Sequence, residues 1–286
     1  MAALPVLVLA LPAVASAAPK KTETTYYVAL GDSWAAGCVP DLATGKTACP
    51  RGGPAGYVAQ VYKSLKAKNP GLKLKSVACP GETTQSLLTG KGNVTGKSCA
   101  GGSTQIKLAE KFMKENKGKI AYVTMVIGGN NVVKCVPGGK PDVACIGAGF
   151  TEIDKDVPTI AKRVKKAAGK GATVVGSGYN DPFLSLYTKG DEESIGIANL
   201  SITLTKTLQD KFVTAYGKSR IKVADVRKAF DTDNTAPSMF QGKPYPTNVV
   251  KLCENSLSCD PKTFGNIHPD KSGYKIVADT HLPLLR

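Results

Sequence analysis

Short apolar runs alternate along this chain with stretches whose apolar residues recur at helical spacing. Residues 26–30, 72–77, 120–127, 172–176 and 221–226 read as strands. The run at 120–127 is nearly all apolar, as expected for a strand covered on both faces. Between the runs, 56–68 carries Val58, Val61, Tyr62 and Leu65 on one helical face, and 105–115 carries Ile106, Ala109, Phe112 and Met113. Residues 151–168 place Ile153, Val157, Ile160, Ala161 and Val164 the same way. The stretches 191–216 and 271–285 complete the helical set. This β-α-β-α rhythm predicts one three-layer α/β/α domain around a mainly parallel, five-stranded sheet. The Pro-, Gly- and Asn-rich stretch 231–246 reads as a long loop.

Residues 4–18 are almost wholly apolar, and Ala15-Ser16-Ala17 follows the A-x-A pattern. The stretch is too short to span a bilayer, so residues 1–17 read as a secretory signal peptide and 18–286 as the mature domain. A secreted, extracellular protein is therefore expected. Eight cysteines stand at 38, 49, 79, 99, 135, 145, 253 and 259. No C-x-x-C occurs and the chain has only two histidines, so a zinc site is not expected. Proximity alone pairs Cys38 with Cys49, Cys79 with Cys99, Cys135 with Cys145 and Cys253 with Cys259, in an oxidising compartment. The formal charge is +16, but aromatic residues make up 6% and no nucleic-acid motif occurs. An anionic polysaccharide or membrane surface is then a better partner than nucleic acid. No transmembrane segment, no cofactor and a monomeric state are expected.

Under the rule that ligands bind beyond the carboxyl ends of parallel strands, three strand ends converge on one edge. They are Gly31-Asp32-Ser33, the turn around Gly81, and Gly128-Gly129-Asn130-Asn131. His268 precedes the last helix and reaches the same edge. Acyl transfer needs a nucleophile, a base within hydrogen-bond reach and donors aimed at the developing oxyanion. Ser33 offers the hydroxyl and His268 the imidazole. The Ser33 and Gly81 main-chain N–H groups and the Asn130 amide offer the donors. Asp32, next to Ser33, is read as a structural carboxylate that bonds neighbouring loops. Trp34 either lines the acyl pocket or packs the loop. The Gly92–Ser98 segment has the wrong spacing for a phosphate loop, and the G-x-S-x-G elbow is absent. His281, inside the last helix, is read as a packing or surface residue.

These blocks resemble, in order, those of the SGNH (GDSL) hydrolases, and they span residues 31 to 268. The resemblance implies a flavodoxin-like fold and hydrolysis of esters: acyl lipids, acetylated glycans or small esters. It implies Ser33 as nucleophile and oxyanion donor, Gly81 and Asn130 as further donors, and His268 as base. Residues 253–274 are similar to the tail of secreted, disulfide-bonded members. Two positions depart from the pattern. Asn131 stands where the family often has Asp. Gly265 stands where an Asp often precedes the histidine by three, which leaves a main-chain carbonyl near Gly265, or Asp260, to orient His268. A glycan O-acetyl esterase and a non-catalytic polyanion-binding protein on the same scaffold are the alternatives.

Overall fold

The computed structural model describes residues 23–50 and 52–286. The expected signal peptide lies outside the described residues. The strands are β1 (Thr25–Gly31), β2 (Val39–Asp41), β3 (Lys46–Ala48), β4 (Leu72–Ser76), β5 (Ile120–Val126), β6 (Thr173–Ser177), β7 (Lys222–Ala224), β8 (Pro237–Phe240) and β9 (Lys243–Pro246). The helices are α1 (Ser33–Ala36), α2 (Tyr57–Lys68), α3 (Thr84–Thr89), α4 (Gln105–Glu115), α5 (Gly129–Val133), α6 (Val143–Ala168), α7 (Glu192–Gly217), α8 (Val226–Ala229), α9 (Thr247–Glu254) and α10 (Lys271–His281).

Five strands pair in the order β4-β1-β5-β6-β7, every pair parallel. Counted within this sheet the order is 2-1-3-4-5, the flavodoxin-like arrangement. Side chains of β1 alternate between two cores, as the period of two requires. Val28 and Leu30 meet α3, α4, α6 and α7 on one side of the sheet. Tyr27 and Ala29 meet α2 and α10 on the other. Helices thus cover both faces, which is why β1 and β5 read as apolar throughout. The order of strands reverses between β1 and β5, so the crevice beyond their carboxyl ends is the place for a ligand.

The helical stretches and all five sheet strands lie where the apolar spacing puts them. Two segments differ. Residues 231–246 are not a plain loop: β8 and β9 pair antiparallel, from Pro237 with Pro246 to Phe240 with Lys243. The second difference is α6, which begins at Val143 rather than near residue 151. Its first turns carry Gly147 and Gly149, which weaken the helical signal. Tertiary contact explains the gain. Asp142 caps the helix by accepting from the Cys145 N–H. Gly149 lies so close to the Asn131 carbonyl that a Cβ there would sit 2.3 Å from its oxygen.

All four sequence-local disulfides are present: Cys38–Cys49, Cys79–Cys99, Cys135–Cys145 and Cys253–Cys259. Cys79–Cys99 and Cys135–Cys145 close loops in the connections that leave β4 and β5 at the carboxyl edge of the sheet. No helix among the described residues is long and apolar enough to cross a membrane.

Candidate active site

Three connections leave the sheet at its carboxyl edge. The first follows β1. Asp32 caps α1, its Oδ1 accepting from the Trp34 N–H at 3.0 Å. Ser33 is then the first residue of the helix, where the main-chain N–H has no acceptor inside the helix. The second follows β4. Gly81 is in the left-handed region, at φ +77°, and its carbonyl accepts from the Val94 N–H. Its own N–H donates to no acceptor among the described residues. The third follows β5, where Asn130 and Asn131 lie in the first turn of α5.

Ser33, Gly81, Asn130 and His268 line one cleft of about 530 Å³, together with Thr47, Thr95 and Lys97. The His268 Nε2 lies 2.8 Å from the Ser33 Oγ. Asn130 is anchored by one amide hydrogen, which donates to the Glu82 carbonyl at 2.9 Å. The second amide hydrogen is left for the cleft. The other asparagine, Asn131, is fully buried and holds the scaffold. Its Oδ1 accepts from the Thr84 N–H, and its Nδ2 donates to Thr84 Oγ1 and Glu152 Oε2. It thereby ties α5 to α3 and α6.

Neither expected partner contacts the His268 Nδ1. The Asp260 carboxylate accepts from the nearby Lys262 N–H. Gly265 donates its N–H to the Ser258 carbonyl, and its own carbonyl makes no bond to the imidazole. The partner is Asn266. Its Oδ1 accepts from the His268 main-chain N–H at 3.1 Å and faces Nδ1 at 3.0 Å. A main-chain N–H only donates, so it fixes which end of the amide is oxygen. Nδ1 must then carry the proton, and Nε2 presents its lone pair to the Ser33 hydroxyl. The Asn266 Nδ2 donates to Thr47 Oγ1 at 3.2 Å, which locks the amide from its other end.

The signal for Asn266 was in the sequence as Asn-Ile-His. An asparagine that accepts from the N–H two residues on is an Asx-turn. The groups expected there, a main-chain carbonyl near Gly265 or the Asp260 carboxylate, do not reach the ring.

Burial shapes the ionisation of the site. His268 is 6% exposed, and burial pushes its imidazole down to about 4. Asp32 is pushed up to about 7 by burial, while its Oδ2 accepts from the Tyr179 hydroxyl at 2.6 Å. Its bonds run to α1 and to the loop after β6, so it is a structural carboxylate. Trp34 packs the loop and also borders a slot beside Ser33. Its Nε1 donates to the Ile267 carbonyl, beside His268, and its ring lines an apolar slot next to Ser33. His281 is fully buried, stacked on Tyr57 and bonded through Nδ1 to the Val277 carbonyl. It takes no part in the cleft. Among the described residues, no group of three or more His, Cys, Asp or Glu side chains is placed to hold a metal ion.

No protein-family model matches the chain, and no curated protein is similar enough to count as a match. Solved structures do match in fold. An alpha/beta hydrolase enzyme from the metagenome of Lake Arreo, Spain, aligns over 93% of this chain and 96% of its own, at a TM-score of 0.52 and 16% identity. Axe2, an acetylxylan esterase from Geobacillus stearothermophilus, aligns over 93% and 96%, at 0.50 and 16% identity. At this identity the likeness establishes the three-layer fold and its topology.

Proposed function

We propose that this protein is a serine ester hydrolase of the SGNH type, exported to an oxidising compartment. The reading rests on one contact: His268 Nε2, with its lone pair free, 2.8 Å from the Ser33 Oγ. It is supported by Gly81 and Asn130 lining the same cleft. Four disulfides among the described residues favour an extracellular setting.

The chemistry follows from these groups. The Ser33 Oγ attacks the ester carbonyl carbon as its proton passes to His268 Nε2. The carbonyl π electrons move to oxygen, and the oxyanion is held by the N–H groups of Ser33 and Gly81 and by the Asn130 amide. Collapse re-forms the carbonyl and breaks the bond to the alcohol oxygen, which takes the proton from His268. Water then attacks the acyl-serine, giving a proton to His268. The second collapse breaks the bond to Ser33 Oγ, which recovers that proton, and the acid leaves.

The test is a fluorophosphonate serine probe combined with p-nitrophenyl acetate turnover. Wild-type protein should be labelled and active; Ser33→Ala should be neither. Folded wild-type protein that is neither labelled nor active would overturn the reading and leave a polyanion-binding scaffold.

A further inference from the structure

Two spaces of very different size meet at Ser33. The large cleft of about 530 Å³ is lined by Ser33, Gly81, Asn130 and His268. The second is a narrow slot of about 50 Å³, lined by Ser33, Trp34, Asn130, Val133, Tyr179 and Phe183, and His268 does not face it. The base must hand its proton to the leaving alcohol oxygen. The alcohol therefore lies on the His268 side, in the large cleft. The acyl tail, on the other side of the carbonyl carbon, enters the slot.

The slot is short. Its volume is about a third of the roughly 150 Å³ of an apolar cavity that takes up the six carbons of benzene. On that scale it holds about two carbons, the tail of an acetyl or propionyl group. Beyond it lie an outer apolar pocket of about 50 Å³ and a groove of about 310 Å³. Phe183 is the one side chain that lines the slot, the outer pocket and the groove alike. It stands between the slot and the outer pocket with Val132, Thr205 and Leu208, and between the slot and the groove with Val133, Pro182 and Ile267.

We infer that the protein acts on short-chain acyl esters, acetyl or propionyl, of bulky alcohols, and that Phe183 helps to set the limit on acyl length. The inference rests on the reading of Ser33 and His268 as the reacting pair. Phe183 shapes the slot and takes no part in proton transfer.

The test is a p-nitrophenyl ester series from acetate to dodecanoate, assayed below micellar concentrations on the disulfide-intact protein. Wild type should show kcat/KM for acetate or propionate at least tenfold above octanoate. Phe183→Ala should raise the octanoate-to-acetate ratio at least tenfold. Phe183→Trp should lower the propionate-to-acetate ratio. Circular dichroism and serine-probe labelling report whether each variant is folded and competent. A wild-type preference for octanoate, or a labelled Phe183→Ala with an unchanged length profile, overturns the inference while the hydrolase reading stands. Failure of wild type to turn over any ester or take the probe overturns both.

Discussion

One oxygen of Asn266 holds His268 at two points, accepting from its main-chain N–H at 3.1 Å and facing its Nδ1 at 3.0 Å. The site thus orients its imidazole with a neutral amide where a carboxylate is the usual device. A carboxylate also stabilises the imidazolium that forms as Ser33 attacks. An amide fixes tautomer and angle without supplying that charge. Asn266→Ala should therefore lower kcat, by about a hundredfold if the ring swings by an ångström, with KM little changed. Steady-state kinetics on the folded variant checks it. An unchanged kcat would assign the orientation to Thr47, whose Oγ1 lies 3.4 Å from Nδ1.

The absent charge has a consequence for pH. Burial alone depresses the His268 imidazole, to about 4, and no carboxylate opposes it. The base must be neutral to accept the Ser33 proton, so activity is present above that value and lost as pH falls through it. The acid limb of kcat/KM should lie near pH 4, below the usual imidazole range. Asn266→Asp sets an anion beside the ring and favours its charged form. The limb should then move up by about one pH unit or more. An acid limb already near 6.5 in wild type would contradict the buried, uncharged setting.

Asn130 is held by one amide hydrogen to the Glu82 carbonyl, and in the proposed reaction the other donates to the oxyanion. Removing a single such donor typically costs about a hundred- to a thousandfold in rate. Asn130→Ala should lose about that much in kcat, while KM and the circular dichroism spectrum change far less. A disturbed spectrum would point to collapse of the Ser33 setting instead.

The sheet and most of its helices were legible because each buries a face. Val28 and Leu30 pack to one side of β1 and Tyr27 and Ala29 to the other, so the apolar run and the fold agree. That Ser33, Gly81 and Asn130 share one cleft was legible because parallel strands deliver their loops to one edge; His268 reaches it on the loop before α10. What was hidden depended on contacts that carry no period. The start of α6 contains two glycines and is held by the Asp142 cap and the Cys135–Cys145 bridge. The β8–β9 hairpin begins and ends on proline, which reads as loop. Asn266 is marked only by turn chemistry, and Phe183 by its position between three cavities.

The disulfides connect this architecture to function. Cys49 and Cys99 themselves line the cleft, so two of the four bridges border the reacting groups. Cys79–Cys99 spans the loop that carries Gly81 and joins the buried Cys79 to the exposed Cys99. Loop-closure entropy assigns a bridge of this span about 3 kcal/mol. For a chain of this size that is a fall in Tm of roughly 6–12 °C. The Gly81 N–H should be displaced as well, since hydrogen bonds alone, among them Asn93–Pro80, Val94–Gly81 and Thr83–Gly92, would then hold the turn. Replacing both cysteines by alanine should lower kcat several-fold even at temperatures well below the new Tm, where the protein is fully folded. Activity and thermal unfolding measured on the same sample separate the two effects. A fall in Tm with kcat intact would show that the turn keeps its shape without the bridge, and that the bridge serves stability alone.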